Sequence, residues 1–403
     1  VELMRRFTIP VRPDLEEHAR AHGFHFTHMY DAVYWDESAC FAFTLDEIED
    51  DIEDPSVELH AMCLELAERA SADERLMGLL GVPEPFQNYV AESWARREPT
   101  VFGRFDLAYN GEGPAKLLEY NADTPTGLYE AAFYQWVWFA EAQRLGILDD
   151  GLDQFNSIQE RLIEVYGALP KRSLLHFTGD GENVEDSGTL LYMMDCAHQA
   201  GHRVKFTDIE TIGHDAKHRF TDQDDLVIDV LANLYPWEWF FAEAFGPKIP
   251  TSGALMIEPA WKALLSTKAI LPLLWEMCPG HPNLLPAYFA DDPRAGSLKD
   301  FVRKPLFSRE GANISLHRDG REVEFIPGPY GEGGWIVQEA TELFSSPHGH
   351  AVVGSWIVGD RACGIGMRED ASPITMNMSR FVPHIIADEQ WTPPAAALAG
   401  ATG

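Results

Sequence analysis

The sequence predicts a mixed α/β fold, and three stretches carry that prediction. "SLLHFTG" (173–179), "EDSGTLLYMMDCAHQAG" (185–201) and "RVKFTDIETIG" (203–213) alternate strand, helix and strand, the rhythm of a partly parallel layer. "VFGRFDLAYNGEGPAKLLEYN" (101–121) is two alternating runs around Asn-Gly-Glu-Gly-Pro, a hairpin signature. From Phe301 onward strand-like runs dominate: "FVRKPLF", "ISLHR", "WIVQEA" and "VVGSWIVG". At 403 residues the chain exceeds one ordinary core, so several packed subdomains are expected.

Taken in order, residues 1–40 are rich in aromatics and histidine without a clear period. Thr44 and Glu47 form a capping box that opens a helix over 44–71, with Ile48 and Ile52 on its buried stripe and the intervening acids facing water. "GVPEPFQNYVAESWARRE" is a turn and a short helix, and "LYEAAFYQWVWFAEAQRLGIL" (128–148) a long, largely buried helix ending near Gly146. "VLANLYPWEWFFAEAF" turns helical after Pro236. Its aromatics are core packers, but Glu238 between Trp237 and Trp239 needs a reason and is a candidate amine contact. "EPAWKALLSTKAILPLLWEMCPGHPNLLPAYF" is helix broken by Pro and Gly. Residues 1–388 are read as one unit of several subdomains and 389–403 as a disordered tail.

Lys and Arg number 31 against 64 Asp and Glu, a net charge of −33. That excess disfavours nucleic acid and anionic membrane surfaces as partners and permits cationic ligands. There is no run of about 18 apolar residues to span a bilayer. The first residues lack the apolar core of a secretory signal, and five scattered cysteines make neither a disulfide framework nor a CxxC site. A cytoplasmic protein with core cysteines is expected. His22, His25 and His28, and likewise His348 and His350, have no regular element to aim them at a metal.

The hairpin carries the chemistry. Arg104 and Asp106 share one strand face, Glu119 and Asn121 another. If Asn110 pairs with Ala115 around a Gly111–Pro114 loop, Asp106 opposes Glu119, Arg104 opposes Asn121, and all four converge. Two carboxylates and an amide carbonyl are hard ligands suited to Mg²⁺, and an adjacent arginine suits a transferring phosphoryl group. A surface ion network is the alternative from spacing alone. No P-loop motif exists and no convincing dinucleotide-binding motif follows a strand. Lys304, on a strand before the small-residue loop around Ser308, Arg309, Gly311 and Asn313, can neutralise phosphates that loop amides cradle.

"GRFDLAYNGEGPAKLLEYNADTPT", "EPAWKALLSTKAILPLLWEM", "KPLFSREGAN" and "GIGMRED" resemble the synthetase domain of the glutathionylspermidine synthetase family, and most of all its stand-alone acid–amine ligase relatives. The resemblance spans roughly residues 10–388. It implies an ATP-grasp fold with additional N-terminal and substrate-binding subdomains, and an ATP-dependent ligase joining a carboxylate to an amine through an acyl phosphate. By motif, Arg104 would stabilise the transition state. Asp106, Glu119 and Asn121 would hold two Mg²⁺, with Glu119 bridging. Phe105, Lys268, Lys304, Gln338 and the segment Pro373, Ile374, Thr375 would join Arg104 and Asp106 around ATP, under a loop from Arg309 to Gly311. Thr124, Glu185 and Asp186 would touch substrate, and Arg368 would lie near the reacting carboxylate. The partners implied are small molecules, a peptide-like acid and a polyamine-like amine among them. The amidase domain of the bifunctional enzymes is not expected, because the synthetase motifs begin almost at once. An ATP-grasp protein that binds nucleotide without catalysis, and a kinase that releases a phosphorylated product, are the competing readings.

Overall fold

The computed structural model describes residues 4–29, 31–171, 174–181 and 183–394. Its centre is an antiparallel sheet in the order Arg380–Val382, Arg361–Asp370, Gly349–Val358, Phe102–Ala108, Lys116–Asn121. Alternation assigns its two faces. Phe105, Leu107 and Tyr120 enter one hydrophobic core, while Arg104 and Asp106 lie on the opposite face, where Phe102 and Trp356 join a second core.

The hairpin expected at 101–121 forms. Arg104 pairs with Asn121 and Asp106 with Glu119, the register read from the polar alternation. The turn end differs. The register slips between Asp106 and Leu107, so that Leu107 faces Leu117 and Leu118 is the extra residue of a bulge. The slip has a use. Leu118 and Glu119, consecutive in sequence, both line the same cavity, while Leu117 stays in the core.

A second antiparallel sheet runs Ala287–Phe289, Trp335–Glu339, Phe301–Pro305, Ser315–Arg318, Arg321–Phe325. Register places Val302 beside Gln338 and Leu316, so these side chains and Lys304 share the face turned to the central sheet. The strand–helix–strand rhythm yields a four-stranded parallel sheet ordered Leu255–Ile257, Val230–Leu234, Leu175–Gly179, Val204–Phe206. The helix Val184–Gln199 covers it, capped by Asn183 and followed by Gly201 at φ +89. A small sheet of Arg5–Thr8, Ala39–Phe43 and His384–Ile386 ties the two ends of the chain together.

The capping box is present: Glu47 accepts from the Thr44 amide and hydroxyl, and the Glu47 amide donates to Thr44 Oγ1. The helix it opens begins as a π-helical segment, Glu47–Glu53, before the α-helix Asp54–Ser71. Trp391 packs edge-on against Phe7 and donates to Asp149, and residues 395–403 of the expected tail lie outside the described residues. Cys40, Cys63, Cys196 and Cys363 are buried free thiols, and Cys278 is partly buried. Among the described residues no helix is long and apolar enough to cross a membrane.

Candidate active site

Strand pairing positions the central cluster. Arg104 reaches back along its own strand and grips Asp106 with two bonds, Nε to Oδ1 at 2.6 Å and Nη2 to Oδ2 at 3.0 Å. Its guanidinium lies 5.7 Å from the Trp356 ring centre. Gly354 makes room for this, since a Cβ there would lie 2.9 Å from Arg104 Cδ. Asn121 donates through Nδ2 to Asp106 Oδ2 at 3.1 Å, which leaves its carbonyl oxygen to accept a cation.

Glu119 sits at the junction of three cavities. It accepts from Lys268 Nζ at 2.9 Å, and Lys268 also donates to the Ser308 carbonyl. Burial alone would raise the Glu119 carboxyl, but Lys268, Lys304 and Arg104 outweigh it and hold it below the usual carboxylate range. Lys304 donates to the Leu118 carbonyl and to Gln338 Oε1, each at 2.8 Å, so the carbonyl of the bulge residue becomes a lysine anchor. Burial pushes the Lys304 ammonium down to about 8, against the pull of Glu119.

The largest of the three cavities lies between the two antiparallel sheets. Its volume is about 430 Å³, with walls of Leu118, Val302, Ile314, Leu316, Val352 and Ile374, and Lys304 and Gln338 among its polar lining. An apolar slot with a few convergent polar groups suits a flat heterocycle with a charged end. Asp106 and Glu119 line its inner end and also line the second cavity. That second cavity is polar, bounded by Arg104, Arg368, Asn121, Thr124 and the loop Arg309–Gly311. The third, smaller cavity runs from Glu119 to Lys268, Asp123 and Glu238.

The loop is strapped over the site. Arg309 donates to Thr124 Oγ1 and to Glu238 Oε1, both at 3.0 Å, with its guanidinium 5.3 Å from the Trp239 ring centre. Gly311 adopts φ +71, and a Cβ there would lie 2.7 Å from the Thr375 carbonyl, so this loop and the segment 373–375 close together over the cavity. Glu238 thus has its reason: it anchors the loop arginine.

Near Arg368 lies a different set of groups. Glu130 accepts from the Tyr34 hydroxyl, yet its Oε2 is buried with no hydrogen-bond partner among the described residues, and so is Oε1 of Glu185. Burial and the neighbouring Glu185 push the Glu130 carboxyl up to about 7. Burial, Glu185 and Asp180 push Asp186 up to about 7 as well, and burial with Glu185 raises Glu310. Arg368 lies 5.3 Å from the Tyr34 ring centre and donates to the carbonyls of Met376, Asn377 and Ser379.

Most residues singled out in the sequence therefore gather here. Phe105 differs: its side chain is fully buried on the core face, stacked on Tyr120 at 4.1 Å, so only its backbone belongs to the site strand. Glu185 and Asp186 open the helix Val184–Gln199 beside the polar cavity without lining it. Trp356 lines the polar cavity and was missed by sequence reasoning because its stretch reads as core; Glu130 and Tyr34, missed as well, are buried near Arg368 and line none of the three cavities.

The donor set fits a divalent cation that keeps waters or phosphate oxygens. Among the described residues no three His, Cys, Asp or Glu side chains could hold a metal ion by themselves, so Asp106, Glu119 and the Asn121 carbonyl would supply three oxygens of a site that bound ligands must complete. Lys304, Lys268, Arg104 and the loop supply the positive charge that a polyphosphate requires.

Comparison with known proteins gives the family and the fold. Residues 6–387 match the family described as glutathionylspermidine synthase preATP-grasp. A Haemophilus influenzae protein named "Putative acid--amine ligase" is 39% identical, with 94% of this chain and 99% of that protein aligned. Trypanothione synthetase of Crithidia fasciculata is 27% identical over 79% of this chain and 52% of its own length. The bifunctional glutathionylspermidine synthetase/amidase of Escherichia coli is 25% identical over 82% of this chain and 56% of its own length. The chain thus spans about half of these two longer relatives. The fold is also that of a glutathione synthetase-like effector from Globodera pallida, with a TM-score of 0.53 at 12% identity, covering 86% of this chain and 89% of that one. An ATP-grasp fold of two antiparallel sheets around a nucleotide-sized cleft, with its family match over nearly the whole chain, is an ATP-dependent carbon–nitrogen ligase, and the chain belongs to the glutathionylspermidine synthase family.

Proposed function

We propose that this protein joins a peptide-like carboxylic acid to a polyamine-like amine by way of an acyl phosphate, using ATP. The observation that carries the reading is the shared wall: Asp106 and Glu119 line both the apolar nucleotide-sized cavity and the polar cavity bounded by Arg104 and Arg368. A phosphoryl group leaving one cavity enters the other at these two carboxylates. Asp106, Glu119 and Asn121 would hold Mg²⁺, which would neutralise charge on the transferring phosphoryl group.

The chain's own residues do the rest. Lys268 and Lys304 neutralise the polyphosphate, and Gln338 bonds at the back of the slot. Arg104, already desolvated and fixed by Asp106 and the Thr126 carbonyl, offsets charge where the two cavities meet. Thr124 and Arg368 orient the acid. Arg309 and Gly311 close over the reacting groups and exclude water, which would otherwise consume an acyl phosphate. Glu130, Glu185 and Asp186 receive the cationic amine, whose ammonium supplies the partner that Glu130 Oε2 and Glu185 Oε1 lack among the described residues. A cytoplasmic setting suits the substrates.

The test is ADP release measured with a panel of acids, with and without amines, and with the product mass recorded. Amide formation dependent on both substrates is the expected result. ADP release with acid alone and no amide would favour a kinase, whereas Mg-ATP binding without turnover on any pair would favour a nucleotide-binding protein.

A further inference from the structure

A buried ion pair lies behind the site and touches no cavity wall of the cleft. Lys262 and Glu258 are each about 1% exposed, with Nζ 3.4 Å from Oε2. Removing two charges from water costs several kcal/mol per ion, and such pairs seldom add net stability. What they hold is the open end of the site hairpin. Lys262 Nζ donates to the carbonyls of Phe102 at 3.0 Å and Ala122 at 2.7 Å. Glu258 Oε1 accepts from the amides of Val101 at 2.9 Å and Phe102 at 3.1 Å, and Oε2 accepts from the Thr100 hydroxyl.

The positions matter. Arg104 opposite Asn121 is the last paired rung of the hairpin. Beyond it the strands part, Ala122 leading at once to Asp123 and Thr124. Asp123 is fixed in turn by the Trp237 amide, and the Trp237 indole donates to the Glu258 carbonyl. One ammonium therefore bridges the two strands where the backbone ladder stops.

We infer that Lys262 and Glu258 are positioning residues for the ligase reaction: they set the separation of Arg104 from Asn121, and with it the oxygen geometry offered to the metal. Neither touches substrate. Hydrophobic packing could fill the same volume, but it could not fix two carbonyls and two amides at once.

The test is the double variant Lys262→Met/Glu258→Gln, which removes both charges together and strands neither. Mn²⁺ affinity is read by paramagnetic resonance in the presence of a non-hydrolysable ATP analogue, beside affinity for the same nucleotide in EDTA. Loss of an orienting partner of a ligand shell weakens metal binding by about 10-fold or more. The expected result is that loss for Mn²⁺, nucleotide affinity in EDTA within about 2-fold of the parent, and a preserved cooperative thermal transition. Unchanged Mn²⁺ affinity, or equal weakening of both affinities, would overturn the inference. Should the double variant not fold, Glu258→Gln carries the test, since it keeps an oxygen for the Val101 and Phe102 amides. It should weaken Mn²⁺ selectively by about 3-fold, and no selective shift would overturn the inference. The inference rests on the metal assignment and not on amide formation. A parent that binds Mn²⁺–nucleotide and makes no amide would sink the ligase reading and leave this one standing.

Discussion

On the nucleotide side of the cleft the buried charges are paired. Lys268 holds Glu119, Arg104 holds Asp106, and Lys304 sits between the Leu118 carbonyl and Gln338. On the side proposed for the amine Glu130 and Glu185 each bury an oxygen without a partner among the described residues, and Asp186 and Glu310 crowd the same region. The first region is preorganised: it can exchange internal partners for ligand oxygens at little reorganisation. The second is frustrated, and its repulsion is relieved by a proton or by a cationic ligand.

Substitutions can break the contrast at chosen points. Glu119 belongs to both sides, so Glu119→Ala should have the largest effect, a loss of ADP release of about 10³-fold, on the scale of removing an electrostatic stabiliser. Retained activity would remove the metal assignment. Lys304→Met attacks the nucleotide side alone. It should raise the KM for ATP roughly 10- to 100-fold, the worth of a charge-assisted hydrogen bond, and leave the KM for the amine unchanged.

Glu130→Gln is the mirror experiment, raising the amine KM about 10-fold while sparing ATP. It also has a pH signature. The Glu130 carboxyl ordinarily titrates near 4.5 and is pushed up to about 7, so the folded state holds its proton more tightly. That contribution to stability is fully present below the unfolded value and is lost as pH rises through about 7. Thermal scans should show stability falling between about pH 4.5 and 7, with a smaller fall in Glu130→Gln, where Asp186 and the other raised carboxyls, Glu310 and Glu258 among them, still contribute. Amine affinity should rise over the same window in the parent and less in the variant. Arg309→Ala, which releases the strap joining the two regions, should cost a few-fold in amide yield per ADP, because water then reaches the acyl phosphate. Gly113→Ala, at φ +70 in open space on the hairpin turn, should cost about 1 kcal/mol of stability and leave every kinetic constant alone.

The polar face of the hairpin was legible because Arg104, Asp106, Glu119 and Asn121 are polar at strand spacing, which fixes which residues can oppose. The bulge was not, because Leu117 and Leu118 are both apolar and a slip between them leaves the pattern intact. Glu130 was hidden for a related reason. It lies within "LYEAAFYQWVWF", a run that reads as core, and its partner Tyr34 is 96 residues away. Lys262 carries no local sign either, since only the folded hairpin shows whose carbonyls it meets. The parallel sheet followed from its strand–helix rhythm, whereas the cleft between two antiparallel sheets depends on long-range stacking that no local period encodes.

The bulge at Leu118 also divides the hairpin into two mechanically separate parts. On one side of it the strand register is locked by Arg104, Asp106 and their partners; on the other the chain runs out to the turn at 110–115. That outer part has anchors of its own, the Leu117 amide donating to the Asn283 carbonyl and Asn283 Nδ2 to the Ala115 carbonyl, so slack introduced at the turn meets these bonds before it reaches Glu119. The tip of the hairpin is therefore a docking port for foreign sequence: a reporter peptide or a tether spliced between Gly111 and Pro114 would ride on the catalytic strand without moving the atoms that do the chemistry.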